Sequence, residues 1–228
     1  MSRSVAVIIP TLNEEAVVAG AIRSALAAGA AEVIVSDGGS TDGTSEVARR
    51  EGAAVHACDN LRGRQMNCAA TRTDAEILVF LHADTRLPAD AMGPIREAID
   101  SGFIFGGFRI EFIEGGARLR VAAAMINLRA ALTRCPWGDQ AQFIERERFL
   151  SEGGFREYPI MEDYEMAARM KMRGPTIVLP PKVASSGRRF LDKGVFRTAI
   201  INWRIIFAYH AGADPVALAR MYRGTGQR

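Results

Sequence analysis

Cysteines are scarce in this chain of 228 residues, and the three that occur are Cys58, Cys68 and Cys135. They are odd in number and widely spaced, and no two of them form a CxxC pair. Disulfide frameworks and zinc sites use paired or closely patterned cysteines. We therefore expect three reduced thiols in a cytosolic protein.

Long apolar runs are also missing. No stretch reaches the roughly 18 uninterrupted apolar residues of a transmembrane helix, and the apolar run in MSRSVAVIIPTLNEE is short and turns polar at once. The second feature excludes a signal peptide. Pro/Ser-rich linkers, low-complexity segments and internal repeats are absent as well. The sequence thus predicts a cytoplasmic protein without a transmembrane segment, folded as a single domain over residues 1–228.

Neither sign of charge dominates the chain. Its 29 Lys and Arg residues nearly balance 26 Asp and Glu residues, for a net charge of +3. Nucleic-acid-binding domains are far more basic and concentrate their charge on one face. We therefore expect no nucleic-acid partner.

Short β-branched runs alternate with helical segments in the first part of the chain. The runs at 5–9, 33–35 and 77–81 read as strands, and this alternation favours parallel strands with crossover helices. We predict a mostly parallel sheet flanked by helices over residues 1–101. Phenylalanines at alternating positions after residue 102 then predict a mixed half over 102–190, and helices follow over 191–228.

Polar turns follow two of these strands. Asp37 and Gly38 end the second strand, and Asp84 ends the third in the sequence LHADT. At the carboxyl edge of an open sheet, Asp37 can bind a base or a ribose, and Asp84 can hold a cation against a phosphate. Capping of the turn is the alternative for Asp37. His82 is either a metal ligand or a hydrogen-bonded structural histidine.

Arginines occur as close pairs at two places. Arg62-Gly63-Arg64 precedes a predicted helix, and Arg188-Arg189 follows a Ser-Ser-Gly turn. Guanidinium groups there can contact phosphate or clamp a diphosphate leaving group. Solvated basic loops are the alternative at both places.

Two acidic or amide pairs are further candidates. Glu162 and Asp163 begin a predicted helix, whose macrodipole favours an ionised carboxylate suited to act as a general base. Asp139 and Gln140 lie in a Trp-Gly turn, where they can bind substrate hydroxyls. Helix capping and turn capping are the respective alternatives.

Taken in order, five segments resemble family 2 glycosyltransferases of the GT-A fold. They are IIPTLNEE, VSDGGSTDGT, the Arg-Gly-Arg loop, LHADT, and GGF followed by a Glu-Asp helix, and together they span about residues 5–190. More narrowly, HADT, GDQAQF, SGRRF and the C-terminal helices resemble a bacterial subgroup named for its genomic association with radical-SAM and selenoprotein-like domains. The resemblance implies a Rossmann-like sheet and transfer of a sugar from a nucleotide-diphosphate donor, with inversion at the anomeric carbon.

The same resemblance implies roles for individual residues. Asp163 matches the general base, and Asp84 matches the last Asp of the Asp-x-Asp motif that binds Mn²⁺ or Mg²⁺. Asp37 matches the Asp that contacts the base, and Arg64 falls in the region that contacts the nucleotide. The remaining substrate-binding candidates are Pro10, Asn13, Glu14, Gly38, Ala83, Asp139, Gln140, Glu162, Arg188 and Arg189.

The sequence departs from the family pattern at two positions. His82 stands where the metal motif has its first Asp, which leaves the identity of the metal open. Phe190 stands where the Gln-x-x-Arg-Trp segment has its Trp, and no multi-span membrane region follows it, which argues against a synthase that extrudes a polysaccharide. His210 is a further candidate metal ligand if the chain end folds back.

Two other functions stay open at this point. A nucleotidyltransferase that makes nucleotide sugars would favour a Gly-rich basic loop where this chain has PTLNEE. A non-catalytic protein that binds nucleotide sugars is the other alternative, although intact Asp84 and Asp163 argue against it. The sequence does not predict the donor sugar, the base or the acceptor, for which a lipid-linked compound and a small molecule both stay open.

The C-terminal helices allow more than one partner. The segment GVFRTAIINWRIIFAYH and the basic segment 117–134 could dock on an anionic membrane at its inner face to meet a lipid acceptor. Alternatively, these helices cover the core or form a homodimer interface.

Overall fold

The computed structural model describes residues 2–224, apart from the side chains at positions 193 and 223, so the end of the predicted segment 191–228 lies outside it. The strands are β1 (Val5–Thr11), β2 (Glu32–Asp37), β3 (Ala54–Ala57), β4 (Ile77–Phe80), β5 (Thr85–Arg86), β6 (Phe105–Phe112), β7 (Gln142–Glu145) and β8 (Thr176–Ser185). The helices are α1 (Val18–Ala27), α2 (Thr44–Arg50), α3 (Arg62–Ala70), α4 (Met92–Asp100), α5 (Ala117–Thr133), α6 (Arg146–Ser151), α7 (Glu162–Arg173), α8 (Arg188–Lys193), α9 (Val195–His210) and α10 (Pro215–Gly224).

The strands form one sheet in the order β3-β2-β1-β4-β7-β6-β8-β5. The first four pair in parallel. β7 is antiparallel to both β4 and β6, β8 is parallel to β6, and β5 is antiparallel to β8. The predicted parallel half, followed by a mixed half, is therefore confirmed.

Both faces of the parallel half are buried. In β4, Ile77 and Val79 belong to one apolar cluster, and Leu78 and Phe80 belong to the cluster on the other face. The Phe80 ring packs edge-on against Phe155 with 4.7 Å between ring centroids. Each such buried side chain contributes about 1.5–3 kcal/mol, and a strand buried on both faces needs the continuous apolar run that the sequence shows.

The strand β8 contains two consecutive prolines, Pro180 and Pro181. Prolines usually interrupt a strand, but β8 continues through both of them. The pairing of β6 with β8 jumps from Phe108–Leu179 to Arg109–Lys182. The two prolines, which have no N–H to donate, are thus the residues that the irregularity leaves unpaired.

The expectation of three reduced thiols is wrong for two of them. Cys58 and Cys68 form a disulfide with 6.3 Å between their Cα atoms, whereas Cys135 is free and buried. The chain reverses between the end of β3 and the middle of α3, so cysteines without a local motif come within bonding distance.

Across residues 2–224, no helix combines the length and the hydropathy needed to cross a bilayer.

Candidate active site

Asp37 lies at the carboxyl end of β2 and is almost fully buried. Its carboxylate accepts hydrogen bonds from Thr11 Oγ1 at 3.2 Å, from the Ser40 N–H at 3.1 Å and from Ser45 Oγ at 3.2 Å. The Ser40 hydroxyl is a further donor. These donors occupy most of the acceptor capacity of a carboxylate. The turn-capping role is therefore present, and the contact with a base or a ribose stays a prediction.

The loop after β1 is bound to the loop after β2. Asn13 does not cap α1, because that helix begins only at Val18. Asn13 instead has a left-handed φ of 57°, and its Oδ1 accepts the Thr41 N–H at 2.9 Å. The Glu14 N–H donates to Thr44 Oγ1 at 2.8 Å. The two loops thus form one continuous edge above the parallel strands.

Gln65 was not predicted as part of the site, but it holds the ends of β1 and β2 in place. It is buried on α3, and its Nε2 donates to the carbonyls of Thr11 at 2.6 Å and Ser36 at 3.0 Å. A Cβ added at Gly38 would lie 2.7 Å from that nitrogen. Gly38 is therefore needed for the packing of α3 against the strand ends, a signal that sequence spacing does not carry.

The Arg-Gly-Arg segment forms the first turn of α3 rather than a loop before it. Arg62 faces the sheet edge, where its Nη1 lies 3.2 Å from Oε1 of the buried Glu162. Arg64, the predicted nucleotide contact, is exposed and pairs with Asp59 at 3.1 Å and Glu157 at 2.7 Å. Burial raises the pKa of Glu162, and the Arg62 guanidinium opposes that shift. Of the two arginines, Arg62 is thus the one that lies beside Glu162, and the nucleotide contact of Arg64 stays a prediction.

Asp163 lies in the first turn of α7, after Met161, whose φ of 74° is the strained conformation often found at functional sites. Its Oδ2 accepts the Gly138 N–H at 2.7 Å, and its Oδ1 accepts the Tyr164 N–H at 2.7 Å. A Cβ added at Gly138 would lie 2.8 Å from Asp163 Oδ2 and 2.9 Å from His82 Nε2. Three residues distant in sequence, at positions 82, 138 and 163, thus converge.

His82 and Asp84 line different cavities. His82 lines a narrow cavity with Glu162 and Asp163. Burial, followed by the nearby Arg62, lowers the pKa of His82 to about 4. Asp84 lines a groove of about 250 Å³ with Arg188. The Asp84 carboxylate nevertheless acts on His82, since it opposes the lowering of the His82 pKa. Among the described residues, no group of three or more His, Cys, Asp and Glu could hold a metal ion by itself, and the metal-binding roles of Asp84 and His82 stay predictions.

Glu14 lies in the electrostatic field of Asp84. Burial raises the pKa of Glu14, and the Asp84 carboxylate raises it further, whereas Arg188 and Arg62 lower it. Two acids and two arginines from four separate segments thus meet at one edge of the sheet. Pro10 lies in the wall of the narrow cavity, and Ala83 lies in the wall of the groove.

Asp139 and Gln140 form a short 3₁₀ turn after Trp137. Gln140 is fully buried and uses its side chain within the protein, since it accepts from Arg129 at 2.8 Å and donates to the Phe108 carbonyl at 2.8 Å. Asp139 Oδ1 is buried and has no hydrogen-bond partner among the described residues. Burial raises the pKa of Asp139 to about 6, and Arg129 opposes the shift. Of this pair, only Asp139 has an atom left for a ligand.

Arg188 and Arg189 begin the helix α8, so the prediction of a loop at this segment is wrong. Arg188 is exposed, and its Nε donates to Ser186 Oγ at 3.1 Å. Arg189 is partly buried, and its Nη2 donates to Asn202 of α9 at 3.2 Å. The Phe190 ring packs on Phe112 with centroids 5.1 Å apart. Arg188 thus faces the groove, while Arg189 ties α8 to α9.

His210 lies at the end of α9. Its Nε2 is 2.6 Å from the hydroxyl of Tyr164, the residue after Asp163. The end of α9 therefore folds back and reaches α7. A role in metal binding stays a prediction.

Comparisons with known proteins agree with this architecture. The model of glycosyl transferase family 2 matches residues 6–156. No curated protein matches the chain.

Several solved structures are similar. Glucosyl-3-phosphoglycerate synthase from Mycobacterium tuberculosis, in complex with Mn²⁺, uridine diphosphate and phosphoglyceric acid, has 22% identity and a TM-score of 0.59, over 85% of this chain and 75% of that chain. A mannosyltransferase from Pyrobaculum calidifontis, in complex with GDP-Man and Mn²⁺, has 19% identity and a TM-score of 0.69, over 99% and 71%. S. aureus TarS has 16% identity and a TM-score of 0.64, over 97% of this chain but only 42% of its own. These similarities show a shared GT-A fold, and because the family model matches more than half of the sequence, the chain belongs to glycosyl transferase family 2.

Proposed function

We propose that this chain is an inverting glycosyltransferase that moves a sugar from a nucleotide-diphosphate donor to an acceptor hydroxyl, with Asp163 as general base. One observation carries the proposal: the Asp163 carboxylate is held by the N–H groups of Gly138 and Tyr164 at the sheet edge where Asp84 and Arg62 also lie. A base and positive charge for a leaving group are thus close to each other. Those are the two functions that inverting transfer requires.

The donor would lie along the carboxyl edge of the parallel strands. Open α/β sheets bind nucleotides there, and the joined loops of Asn13 and Asp37 make that edge continuous. The similar structures bind uridine diphosphate and GDP-Man, which supports a nucleoside diphosphate as the leaving group. Arg62 and Arg188 would face its phosphates.

A divalent cation fits this edge. Asp84 and the nearby Glu14 offer carboxylate oxygens, the ligand type that hard cations prefer, and diphosphate oxygens would complete the coordination. Two similar structures contain Mn²⁺, which supports Mn²⁺, while Mg²⁺ stays an alternative. When bound, the cation would neutralise charge on the leaving diphosphate.

The protein's own residues would carry the proton and the charge. Asp163 takes the proton of the acceptor hydroxyl while the oxygen of that hydroxyl bonds to the anomeric carbon. The bond from that carbon to the diphosphate oxygen breaks on the opposite side, and its electron pair leaves with the diphosphate. The guanidinium groups of Arg62 and Arg188 balance the negative charge that develops there. The configuration at the anomeric carbon is thereby inverted.

The test is a panel of UDP-, GDP- and dTDP-sugars assayed with Mn²⁺. Product formation is followed by mass spectrometry, and the anomeric configuration of the product is read by proton NMR. We expect one donor to be used with inversion. A retained configuration would contradict the mechanism.

The variant Asp163→Asn distinguishes a role of Asp163 as general base from a role in donor binding. We expect a loss of turnover of about 10²–10⁴-fold, with a nearly unchanged donor Kd, because the amide cannot take the proton but fills the same space. Asp90→Asn, at an exposed position on the surface, is the matched control. Loss of donor binding in Asp163→Asn would instead make Asp163 a structural or donor-binding residue.

The same panel distinguishes the two alternative functions. A nucleotidyltransferase would form a nucleotide sugar from a sugar phosphate and a nucleoside triphosphate. A binding protein would hold one donor tightly without hydrolysing or transferring it. Membership of the narrower radical-SAM-associated subgroup stays a prediction.

A further inference from the structure

Two neighbouring helices each expose a stripe of large apolar side chains. In α5 the stripe is Val121, Met125, Leu128 and Leu132, and in α9 it is Phe196, Ile200, Trp203 and Phe207. Both stripes follow the spacing i, i+4, i+7, i+11, which keeps side chains on one face of a helix. The two helices contact each other, so the stripes belong to adjacent elements.

These stripes are not the faces by which the helices pack on the protein. α5 packs through Leu119, Ala122 and Ala130, and α9 packs through Thr198 and Ile205. By contrast, Phe196 is 76% exposed, Phe207 71% and Leu132 75%. Each helix thus has a second apolar face, which the described residues leave uncovered. Large contiguous exposed apolar surface usually marks an interaction site.

The charges of the two helices have one sign. Residues 117–133 and 195–210 contain no Asp or Glu, but they include the exposed residues Arg118, Arg120, Arg197 and Arg204. None of these four arginines has a carboxylate partner within the described part of the chain. The α5/α9 face, defined by the two stripes and these arginines, is therefore apolar and cationic.

The combination of apolar side chains and positive charge distinguishes between two partners for this face, a second copy of the chain and an anionic lipid bilayer. A second copy of the chain seated on the α5/α9 face would bring arginines against arginines with no acid on either helix to offset them. An anionic bilayer offers apolar chains for the stripes and phosphate groups for the guanidinium groups. Trp203 has the amphipathic ring that is enriched at membrane–water interfaces. Arginine side chains can extend from a buried helix back to the headgroups.

We propose that the α5/α9 face docks the protein on the surface of an anionic lipid bilayer, with both helices lying in the headgroup region. The apolar stripes insert, and Arg118, Arg120, Arg197 and Arg204 contact lipid phosphates. Docking does not depend on the proposed reaction, so either can fail without the other. The face adjoins the site through α9, which ends at His210 beside Tyr164.

Vesicle co-sedimentation tests the docking. The full chain is incubated with vesicles of phosphatidylcholine alone and with vesicles that also contain phosphatidylglycerol. We expect binding to the mixed vesicles only, with affinity that falls as salt is raised. Equal binding to both kinds of vesicle, or binding to neither, would overturn the proposal.

Paired variants test each half of the face. Phe196→Ser/Phe207→Ser and Arg197→Glu/Arg204→Glu should each weaken binding to the mixed vesicles more than about tenfold. Leu128→Ser/Leu132→Ser on α5 provides an independent third pair. Met172→Ser/Leu26→Ser, at exposed apolar positions elsewhere, and Arg49→Glu/Arg50→Glu on α2 are the matched controls, and they should bind as the unchanged chain does. Controls that lose binding equally would overturn the assignment of the face.

Tryptophan fluorescence locates the contact directly, because the chain has only Trp137 and Trp203. Insertion should shift the emission to the blue in the unchanged chain and in Trp137→Phe, but not in Trp203→Phe.

Light scattering without vesicles measures whether the chain is a monomer or a dimer. If the serine pairs convert a dimer into a monomer and vesicles are not bound, a second copy covers the α5/α9 face and the proposal is wrong.

Discussion

Two aspartates of the candidate active site, Asp139 and Asp163, differ in the hydrogen bonds that their carboxylates accept. Asp163 has a backbone N–H on each oxygen. Asp139 has one buried oxygen without a partner among the described residues, and burial raises its pKa. A protein that keeps an unsatisfied acid at its site sacrifices stability there, which is common where a ligand is to be bound. Replacing Asp139 should therefore affect the stability of the fold and the binding of substrate in opposite directions.

We predict that Asp139→Asn stabilises the fold at pH 7.5. The pKa of Asp139 is about 6 in the folded chain, against an ordinary value of 3.8. The ionised carboxylate therefore lowers the unfolding free energy at pH values above 6, and this cost disappears as pH falls through 6 to 3.8. We expect a gain of about 1–3 kcal/mol at pH 7.5, discounted because part of the residue reaches solvent.

Urea unfolding at pH 7.5 and at pH 4 measures this effect. The gain should fall to a small fraction at pH 4, where Asp139 is mostly protonated when folded, and Asp90→Asn should show no gain at either pH. If Asp139 also binds substrate, the stabilised variant should lose turnover. A destabilised variant at pH 7.5 would show that the charge is compensated by Arg129.

Gly138 is the residue whose lack of a side chain places Asp163. We predict that Gly138→Ala lowers kcat by at least about tenfold and changes donor Kd little, because the new Cβ would lie 2.8 Å from Asp163 Oδ2 and push the carboxylate away. Steady-state kinetics and donor titration measure the two effects. Gly93→Ala in α4, where a Cβ meets nothing within 4 Å, is the control. Unchanged kcat would remove Asp163 from the reacting centre.

At the scale of elements, the start of α3 is the segment that the site depends on. It begins at Arg62, which pairs with Glu162 at the start of α7, and Gln65 one turn later binds the ends of β1 and β2. The disulfide from Cys58 to Cys68 closes the loop that leads into this helix. The position of α3 therefore rests on a cross-link, a buried amide and an ion pair.

We predict that Cys58→Ser/Cys68→Ser lowers the unfolding free energy by about 2–3 kcal/mol. The cross-link closes a loop with a sequence separation of 10 residues, whose freedom in the unfolded chain it restricts. Urea unfolding with and without a reductant measures the effect. Reductant should destabilise the unchanged chain and leave the double variant unaffected, and Cys135→Ser should keep the response to reductant. An unchanged chain that ignores reductant would contradict the role of the cross-link.

At the scale of the whole molecule, the carboxyl edge of the parallel strands, where the proposed donor would lie, is built from both halves of the chain. The segments after β1 and β4 supply Glu14 and Asp84, and the end of β2 supplies Asp37. The first turns of α7 and α8 supply Asp163 and Arg188. Binding at this edge should therefore stabilise the chain as one cooperative unit rather than one half of it.

We predict that one nucleotide-diphosphate sugar raises the Tm, and that Mn²⁺ increases the rise. A ligand at one hundred times its Kd adds about 2.7 kcal/mol, or roughly 5–10 °C for a chain of this size. Differential scanning fluorimetry across UDP-, GDP- and dTDP-sugars measures the shift, with a chelator to remove the metal. A rise that the chelator leaves unchanged would contradict metal assistance.

The sequence alone predicted the features that depend on local pattern. Five apolar residues at 77–81 predicted a doubly buried strand, and strand–helix alternation predicted the parallel half. Polar turns at strand ends placed Asp37 and Asp84 at the carboxyl edge. These predictions succeeded because side-chain period and strand direction follow from residues close together in the chain.

Tertiary structure decided which residues meet. Only the start of α3 showed that Arg62, and not Arg64, faces Glu162, since two positions along a helix differ by more than half a turn. Only the chain reversal joined Cys58 to Cys68.

The same limit applies to the α5/α9 face. The spacing of the apolar residues over 196–207 can be read from the sequence, and such a stripe predicts that this face of the helix is buried. Whether a stripe is covered depends on the elements that pack against it, which only the assembled chain determines. The sequence by itself therefore determined the sheet edge and its acids, while the tertiary structure decided the contacts of the site and the face left open to a partner, because contacts between distant segments are not encoded in local pattern.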